Sequence, residues 1–377
     1  MSIKSSFLFS FFIPLFLGDI QKTCYTEDKI KIQSFKNFVK SKIKSNSVLI
    51  TEFEKYHLEC LPGFTKYFLD LGYNVDILLD STLGESMKKF KPFSKLRIFE
   101  FKKKKQIKKK FKLLSKKLKK YKYLFLETLE KKFIPFYKKL GFYDNPNSLF
   151  VIHHIDEIHH LGIKTFISKN QVFGLTDYGL IPYLNPNYFG NFKLTYEKGK
   201  NSFFITSTKL RNYKHFIDGV FFLKNNSIDF EINVVGRFRN FRKVHVPKEL
   251  RRYFHFYGNV RYQKLYEIVN KSDFIILNLY PDRKNDNLFR TFRATGNAQL
   301  AYGFYKPVLI EENFAKAYKF SNNTAIIYKG HNISSAMLEA VKMTKNEYLN
   351  MSVNVKYLQE KIYNISLNNL KNVLKNK

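Results

Sequence analysis

The chain has no tryptophan, only two cysteines among its 377 residues, and 31 acidic side chains against 66 lysines and arginines. The two cysteines, Cys24 and Cys60, form neither a disulfide framework nor a metal-ligand pattern, which leaves a reducing compartment as the default. Long hydrophobic runs are missing too. The one apolar run, Phe7–Leu17, is too short to span a bilayer as a helix. It follows a single lysine and precedes no small-residue cleavage site, so it reads as a poor signal peptide, a tail touching the membrane interface, or the product of a start assigned too early. No zinc, RRM-like or helix-turn-helix signature is present.

What is present argues for a folded chain of two domains. Hydrophobic residues make up 44% of the sequence, with 40 Phe and 25 Tyr, and the length suits two ordinary cores. The surplus of Phe, Tyr, Lys and Asn fits an A/T-rich coding bias, which accounts for part of the basicity. A formal charge of +35 still implies attraction to an anionic surface: phospholipid, nucleic acid or a phosphorylated substrate.

Residues 1–46 form an apolar and then basic lead-in. From Ser47 to Asp80 the pattern is strand, helix, strand, with Gly72 ending the helix and the polar loop EFEKYHLE at the carboxyl end of the first strand. Ligands of open α/β sheets bind at that edge. In the lysine-rich run 101–122, Ile107, Phe111, Leu114, Leu118 and Tyr121 make one apolar stripe on a helix. Such a helix packs inward with a solvated basic back, or lies on anionic lipid, and the two readings are compatible. Further strands at Tyr123–Leu126 and Ser148–Ile152 flank a helix over 129–140, and the second strand runs into HHIDEIHH. Its paired histidines lack the spacing of ligands on one helix face, so a polar loop offering a base or hydrogen bonds to substrate is the better reading.

The Pro/Asn-rich stretch 171–200 reads as an interdomain linker. A second set of αβ units follows. It culminates in Asp273–Pro281, read as a strand, and Arg293–Ile310, where a Thr295-Gly296-Asn297 turn opens a helix that Gly303 and Pro307 end before a buried strand. A helix start with Gly offers free N–H groups and the positive dipole end to phosphate. Two helices are expected in 334–377.

The segments FFITSTKLRNYKHF, INVVGR, FYGNVRYQKLYEIVNKSDFIILNLYPD and TGNAQLAYGFYKPVLI, in that order, resemble the donor-binding half of GT-B glycosyltransferases of the bacterial group 1 kind. ITEFEKYHLECLPGFTKYFLDLGYNVDIL is similar to the opening strand, acceptor loop and helix of the same family, and the resemblance covers residues 47–345. It implies two Rossmann-like α/β/α domains facing across a cleft: an acceptor domain over 47–190, a donor domain over 191–345, and a last helix, 346–377, packing back on the first. By the resemblance, one or more of Lys209, Arg211 and Lys214 meets the donor diphosphate. Thr295, Gly296 and Asn297 hold phosphate, Arg293 or Gln299 reaches the sugar or ribose, and Gly258 and Val260 sit under the base. On the acceptor side lie Glu52, Glu54 and Glu59, with His57, Asp156 and His153 as candidate catalytic groups. Many retaining members carry two glutamates around the donor helix. Here Leu300 and its neighbours supply none, which leaves the ribose contact and the stereochemical outcome open.

The expected activity is transfer of a sugar from a nucleotide diphosphate to a glycan or lipid-linked acceptor, with no cofactor and no essential metal. The expected setting is the cytoplasmic face of a membrane held peripherally through 101–122. Two other readings stand beside it: a basic nucleic-acid-binding protein, and a GT-B protein without transferase activity.

Overall fold

Strands that are apolar on both sides set the architecture. Ser47–Glu52, Tyr123–Leu126 and Ser148–Ile152 are buried at every position, as strands of a parallel sheet covered on both faces must be. In the computed structural model, which describes residues 31–53, 57–80, 87, 94–169, 171–207, 213–236 and 246–375, the chain forms two such sheets.

The first unit runs β1 (Ile32–Ser34), α1 (Phe35–Lys40), β2 (Ser47–Glu52), α2 (Leu61–Asp70), β3 (Asn74–Asp80), β4 (Leu96–Phe101), α3 (Lys104–Lys108), α4 (Phe111–Leu118), β5 (Tyr123–Leu126), α5 (Ile134–Leu140), β6 (Ser148–Ile152), α6 (Lys164–Ser168) and β7 (Val172–Gly174). The second runs β8 (Ser202–Ser207), α7 (Lys214–Asn225), β9 (Glu231–Gly236), β10 (Phe254–Gly258), α8 (Tyr262–Lys271), β11 (Phe274–Ile276), α9 (Lys284–Thr291), α10 (Gly296–Phe304), β12 (Val308–Glu311), α11 (Glu312–Ala317), β13 (Ala325–Tyr328) and α12 (Ile333–Lys342). A last helix, α13 (Lys345–Lys375), begins on the second unit and ends on the first.

The strand orders are β1-β4-β3-β2-β5-β6-β7 and β10-β9-β8-β11-β12-β13. In each sheet three consecutive strands, β2–β4 or β8–β10, are laid outward in one direction and the next three in the other, and β1 adds a seventh strand beside β4 in the first. The reversals fall between β2 and β5 and between β8 and β11. Connections part at such a reversal and leave a crevice at the carboxyl ends of the strands. Apolar clusters fill both faces of both sheets. Ile50, Phe125 and Val151 face α2, while Leu49, Leu124, Leu126 and Phe150 face α4 and α5.

Several expectations change in detail. The basic run is two short helices rather than one, because Phe101 is drawn into β4 and closely spaced lysines disfavour a continuous helix. Its stripe still turns inward: Ile107, Leu114, Leu118 and Tyr121 are buried. The strand expected over Asp273–Pro281 is regular only over Phe274–Ile276. Gly303 does not end α10. It lies inside the helix, and the left-handed residue at the end is Tyr305, φ 55°. Gly303 answers a packing need, since a Cβ there would sit 2.4 Å from the Phe189 ring.

The 171–200 stretch joins the two sheets, but its start, Val172–Gly174, is the edge strand β7, and Asn185 and Asn187 are held against α2 and α13. The Tyr67 hydroxyl donates to the Asn185 carbonyl at 2.6 Å, the Asn185 N–H to Ser366 Oγ at 3.0 Å, and Gln359 Nε2 to Asn187 Oδ1 at 3.0 Å. The end of α13 joins the first core through Leu370, Val373 and Leu374, and the Tyr123 hydroxyl donates to the Leu374 carbonyl at 3.0 Å.

Candidate functional site

Side chains alternate along a strand, so one step beyond the core on the α2 face lie Glu52 on β2, Glu127 after β5 and His153 after β6. The register aligns Ile50 with Phe125 and Thr51 with Leu126, which sets Glu127 beside Glu52 at the strand-order reversal. Glu52 and Glu127 are fully buried, and His153 is 7% exposed. Both carboxylate oxygens of Glu127 lack a hydrogen-bond partner. Burial first, then the charges of Glu52 and Glu59, push its carboxyl well above the usual range, which favours the protonated form.

His153 is held in one tautomer. Its Nε2 lies 3.3 Å from the Glu127 carbonyl oxygen and 3.3 Å from Thr128 Oγ1. A carbonyl only accepts, so Nε2 carries the proton and Nδ1 is left with a lone pair. That Nδ1 is buried and without a partner. Burial, then the neighbouring His57, hold the imidazole well below its ordinary value, so it is neutral and basic at Nδ1 near pH 7.

His57 completes the group from an uncommon backbone conformation, φ 68°. For a residue with a Cβ this costs about 1 kcal/mol. The surroundings sustain it: the His57 carbonyl accepts from the Cys60 N–H at 2.9 Å, and its ring lies 3.9 Å, centroid to centroid, from that of His153. Its Nδ1 stands 3.8 Å from Glu59 Oε1. Burial raises the Glu59 carboxyl, but hydrogen bonding and the charge of His57, with further bonds including one from the Tyr262 hydroxyl, outweigh it and hold Glu59 below its usual value. Tyr262 belongs to the first turn of α8, so the second unit takes part in the site.

Across from these groups, α10 starts after Thr295, which is extended and makes no side-chain cap. Gly296 is exposed, with nothing within 4 Å of a Cβ built on it. The Asn297 side chain does not face a ligand: it donates to the Ile276 carbonyl at 3.0 Å and pins the helix to β11. A helix start of this kind can receive an anion through first-turn N–H groups and the dipole. A bridge between His154 and Arg293, with the Ile155 N–H donating to the Phe292 carbonyl at 3.0 Å, stitches the strand end that bears His153 to the segment leading into α10. The Tyr318 hydroxyl, donating to the Phe289 and Arg293 carbonyls, fixes that segment from behind. A cavity of about 370 Å³ opens beside the group, lined by His57, Thr128, Lys131, Lys132, His153 and His154, with Leu129, Glu130 and Leu161.

The structure therefore brings together His57, His153, Glu52 and Glu59 on one side and Arg293, Thr295 and Gly296 close by. Glu52 is buried at the end of β2 rather than in the polar loop that follows, because the strand continues through it. Gln299 lies on the inner face of α10, 3% exposed, with Nε2 unpartnered. Lys214 is the exposed first residue of α7. Gly258, φ 67°, ends edge strand β10 with Val260 just beyond. Glu54, Lys209, Arg211, the Asp156 side chain and the run Phe7–Leu17 lie outside the described residues. Among the described residues no group of three or more His, Cys, Asp or Glu has a metal-holding arrangement, and no helix is long and apolar enough to cross a membrane. The sequence reading missed Glu127 and Lys131. Carrying the alternation of YLFLET one step past Leu126 is the signal that finds Glu127.

No protein-family model and no curated protein sequence matches the chain. Solved structures match over nearly all of it. A glycosyltransferase from Rickettsia africae ESF-5 is 13% identical with a TM-score of 0.51, covering 89% of this chain and 99% of that one. Anabaena Alr3699/HepE, solved in complex with UDP-glucose, is 10% identical with a TM-score of 0.53, covering 87% and 99%. TarM is 10% identical with a TM-score of 0.57, covering 88% and 99%. At such identities the likeness is one of fold. It is the two-sheet GT-B fold.

Proposed function

We propose that this GT-B protein transfers a sugar from a nucleotide diphosphate to a hydroxyl of a glycan or lipid-linked acceptor. The observation that carries the reading is His153. A neutral imidazole with one tautomer enforced and an unpartnered Nδ1 belongs to a residue that lines a cavity, and it is tied through the His154–Arg293 bridge to an uncapped helix start on the other unit. The acceptor hydroxyl gives its proton to Nδ1, while the N–H groups at Gly296 and beyond, with Lys214, take up charge on the departing diphosphate. Cationic and backbone groups then do what a metal does elsewhere, so no essential metal is required. In an inverting reaction His153 is the base; in a retaining one it positions the hydroxyl.

The exposed lysines of α3 and α4, around the exposed Leu113, support a peripheral seat on an anionic membrane. Replacing Lys109, Lys112 and Lys116 by Gln is expected to lower cosedimentation with anionic vesicles by about fivefold per lysine, with the remainder lost as salt rises. Binding that ignores both changes removes this part of the reading.

The central test is thermal stabilisation by UDP, GDP, ADP, CMP and dTDP, with and without EDTA. A true donor nucleotide at a hundredfold excess over Kd stabilises by about 2.7 kcal/mol. With that donor, His153→Ala is expected to bind the nucleotide normally yet lose about 10²- to 10⁴-fold in turnover. The acid limb of the wild-type pH profile should lie below the ordinary histidine range, since the imidazole is held low. No nucleotide response, or full turnover by His153→Ala, defeats the proposal.

A further inference from the structure

We infer that the acceptor carries an anionic group near its reacting hydroxyl, and that Lys131, with Lys132 beside it, receives this group at the mouth of the cavity next to His153. The inference rests on the transferase reading and adds the chemical class of the acceptor.

The cavity lining carries the argument. A site built for a neutral sugar places a few carboxylates or amides to pair with hydroxyls. Among the described residues no Asp, Asn or Gln lines the cavity, and its polar groups are lysine, histidine and threonine with one glutamate. The one acid in the lining among the described residues, Glu130, is already paired with Lys132. Lys131 is exposed and meets no carboxylate among the described residues, so its charge is uncompensated at the rim. The buried Glu52 and Glu127 and the half-buried Glu59 are not among the residues that line the cavity. Burial raises the Glu127 carboxyl well above its ordinary value, which disfavours its charge, and Glu59 is engaged by His57 and Tyr262, so those two oppose the lysine's field less than free carboxylates would.

A second observation points to a ligand in the same space. His153 lines the cavity and is more than nine-tenths buried, and its Nδ1 has no hydrogen-bond partner. A lone pair receives a hydroxyl proton and repels an anion. The two ends of the cavity therefore ask for different groups: a hydroxyl at His153 and a negative charge at Lys131. Lysine meets phosphate or carboxylate as a compact, mobile point charge. A surface lysine on a chain of charge +35 needs no ligand by itself. Its place on the wall that holds the unpartnered base is what separates it from the rest.

The test uses the full-length protein with labelled histidine rings, observed by NMR at fixed ionic strength and assigned with His→Gln variants. Inorganic phosphate, glucose 6-phosphate, glucuronate and neutral methyl glucoside are titrated separately, before and after saturation with the stabilising nucleotide. We expect saturable shifts of His153 and His57 with the phosphates or with glucuronate and none with methyl glucoside. The class that responds distinguishes a phosphorylated acceptor from a uronic one. Lys131→Ala is expected to weaken the anion at least fivefold and Lys131→Arg to restore it, with nucleotide not displacing it. Equal shifts with methyl glucoside, an unchanged affinity in Lys131→Ala, or displacement by nucleotide overturns the inference. Nucleotide binding without an anion response sinks this inference alone. An anion response with no nucleotide binding sinks the transferase reading and leaves the subsite.

Discussion

Glu127 shows how one buried side chain couples stability to pH. Its folded pKa is raised, so its contribution is fully present below the ordinary carboxylate range and is lost as pH rises toward the folded value. Glu127→Gln removes the ionisation while keeping the shape. The variant is expected to match the wild type at acid pH and to be the more stable of the two at pH 8, because only the wild type must hold an ionising carboxyl in a buried place. Urea midpoints at the two pH values measure this, and an equal gap at both values refutes it. The residue lies in a run, YLFLET, whose period places it on the same face as Tyr123 and Phe125. That much is legible in the sequence. That Glu52 is its neighbour is not, because the register between β2 and β5 arises only when the sheet forms.

At the scale of elements, two glycines of α10 separate fold from function. Alanine at Gly303 gains about 0.5–1 kcal/mol in helix propensity. It also drives a Cβ to 2.4 Å from the Phe189 ring and 2.8 Å from the Asn187 carbonyl oxygen. Overpacking of this kind costs about 1–3 kcal/mol and outweighs the gain, so the melting temperature should fall by several degrees. Alanine at Gly296 meets open space, which predicts a fold as stable as the wild type or slightly more so. Its methyl group stands where phosphate would approach, so nucleotide affinity should drop. Thermal melts with and without nucleotide separate the two effects, and the reverse pattern contradicts the assignment. Sequence reading took Gly303 for a helix end because Gly is the usual signal there. The signal misleads where the missing side chain makes room for a distant aromatic ring.

On the scale of the whole molecule, α13 ties the two units together. Tyr348 donates its hydroxyl to the Asp273 carbonyl at 2.9 Å in the second unit, and Leu370 is fully buried in the first. The helix has 31 residues, and at 1.5 Å per residue its length of about 46 Å is enough to reach from one unit to the other. Ending the chain after Lys356 removes Ile362, Leu370, Val373 and Leu374 from the two cores, at about 1.5–3 kcal/mol for each fully buried side chain. Calorimetry of the truncated chain should show the first unit melting early and apart from the second. Co-melting of the two units as in the full chain argues against this role.

Apolar runs that suit strands buried on both faces, the helix that begins at Gly296 and the inward stripe from Ile107 to Tyr121 are local patterns. They depend on neighbours a few residues away, and the sequence by itself determined them, together with the two-unit α/β plan. The strand β4 was hidden because lysine-rich flanks mask the alternation of LRIFEF. The rest needed the tertiary structure: the reversal of strand order that sets Glu127 beside Glu52, the tautomer of His153, the bridge from His154 to Arg293 and the clamped path through Asn185. Each joins residues far apart in the chain. Such pairings are decided by which faces bury each other once the sheets and helices pack, and no local periodicity records that choice.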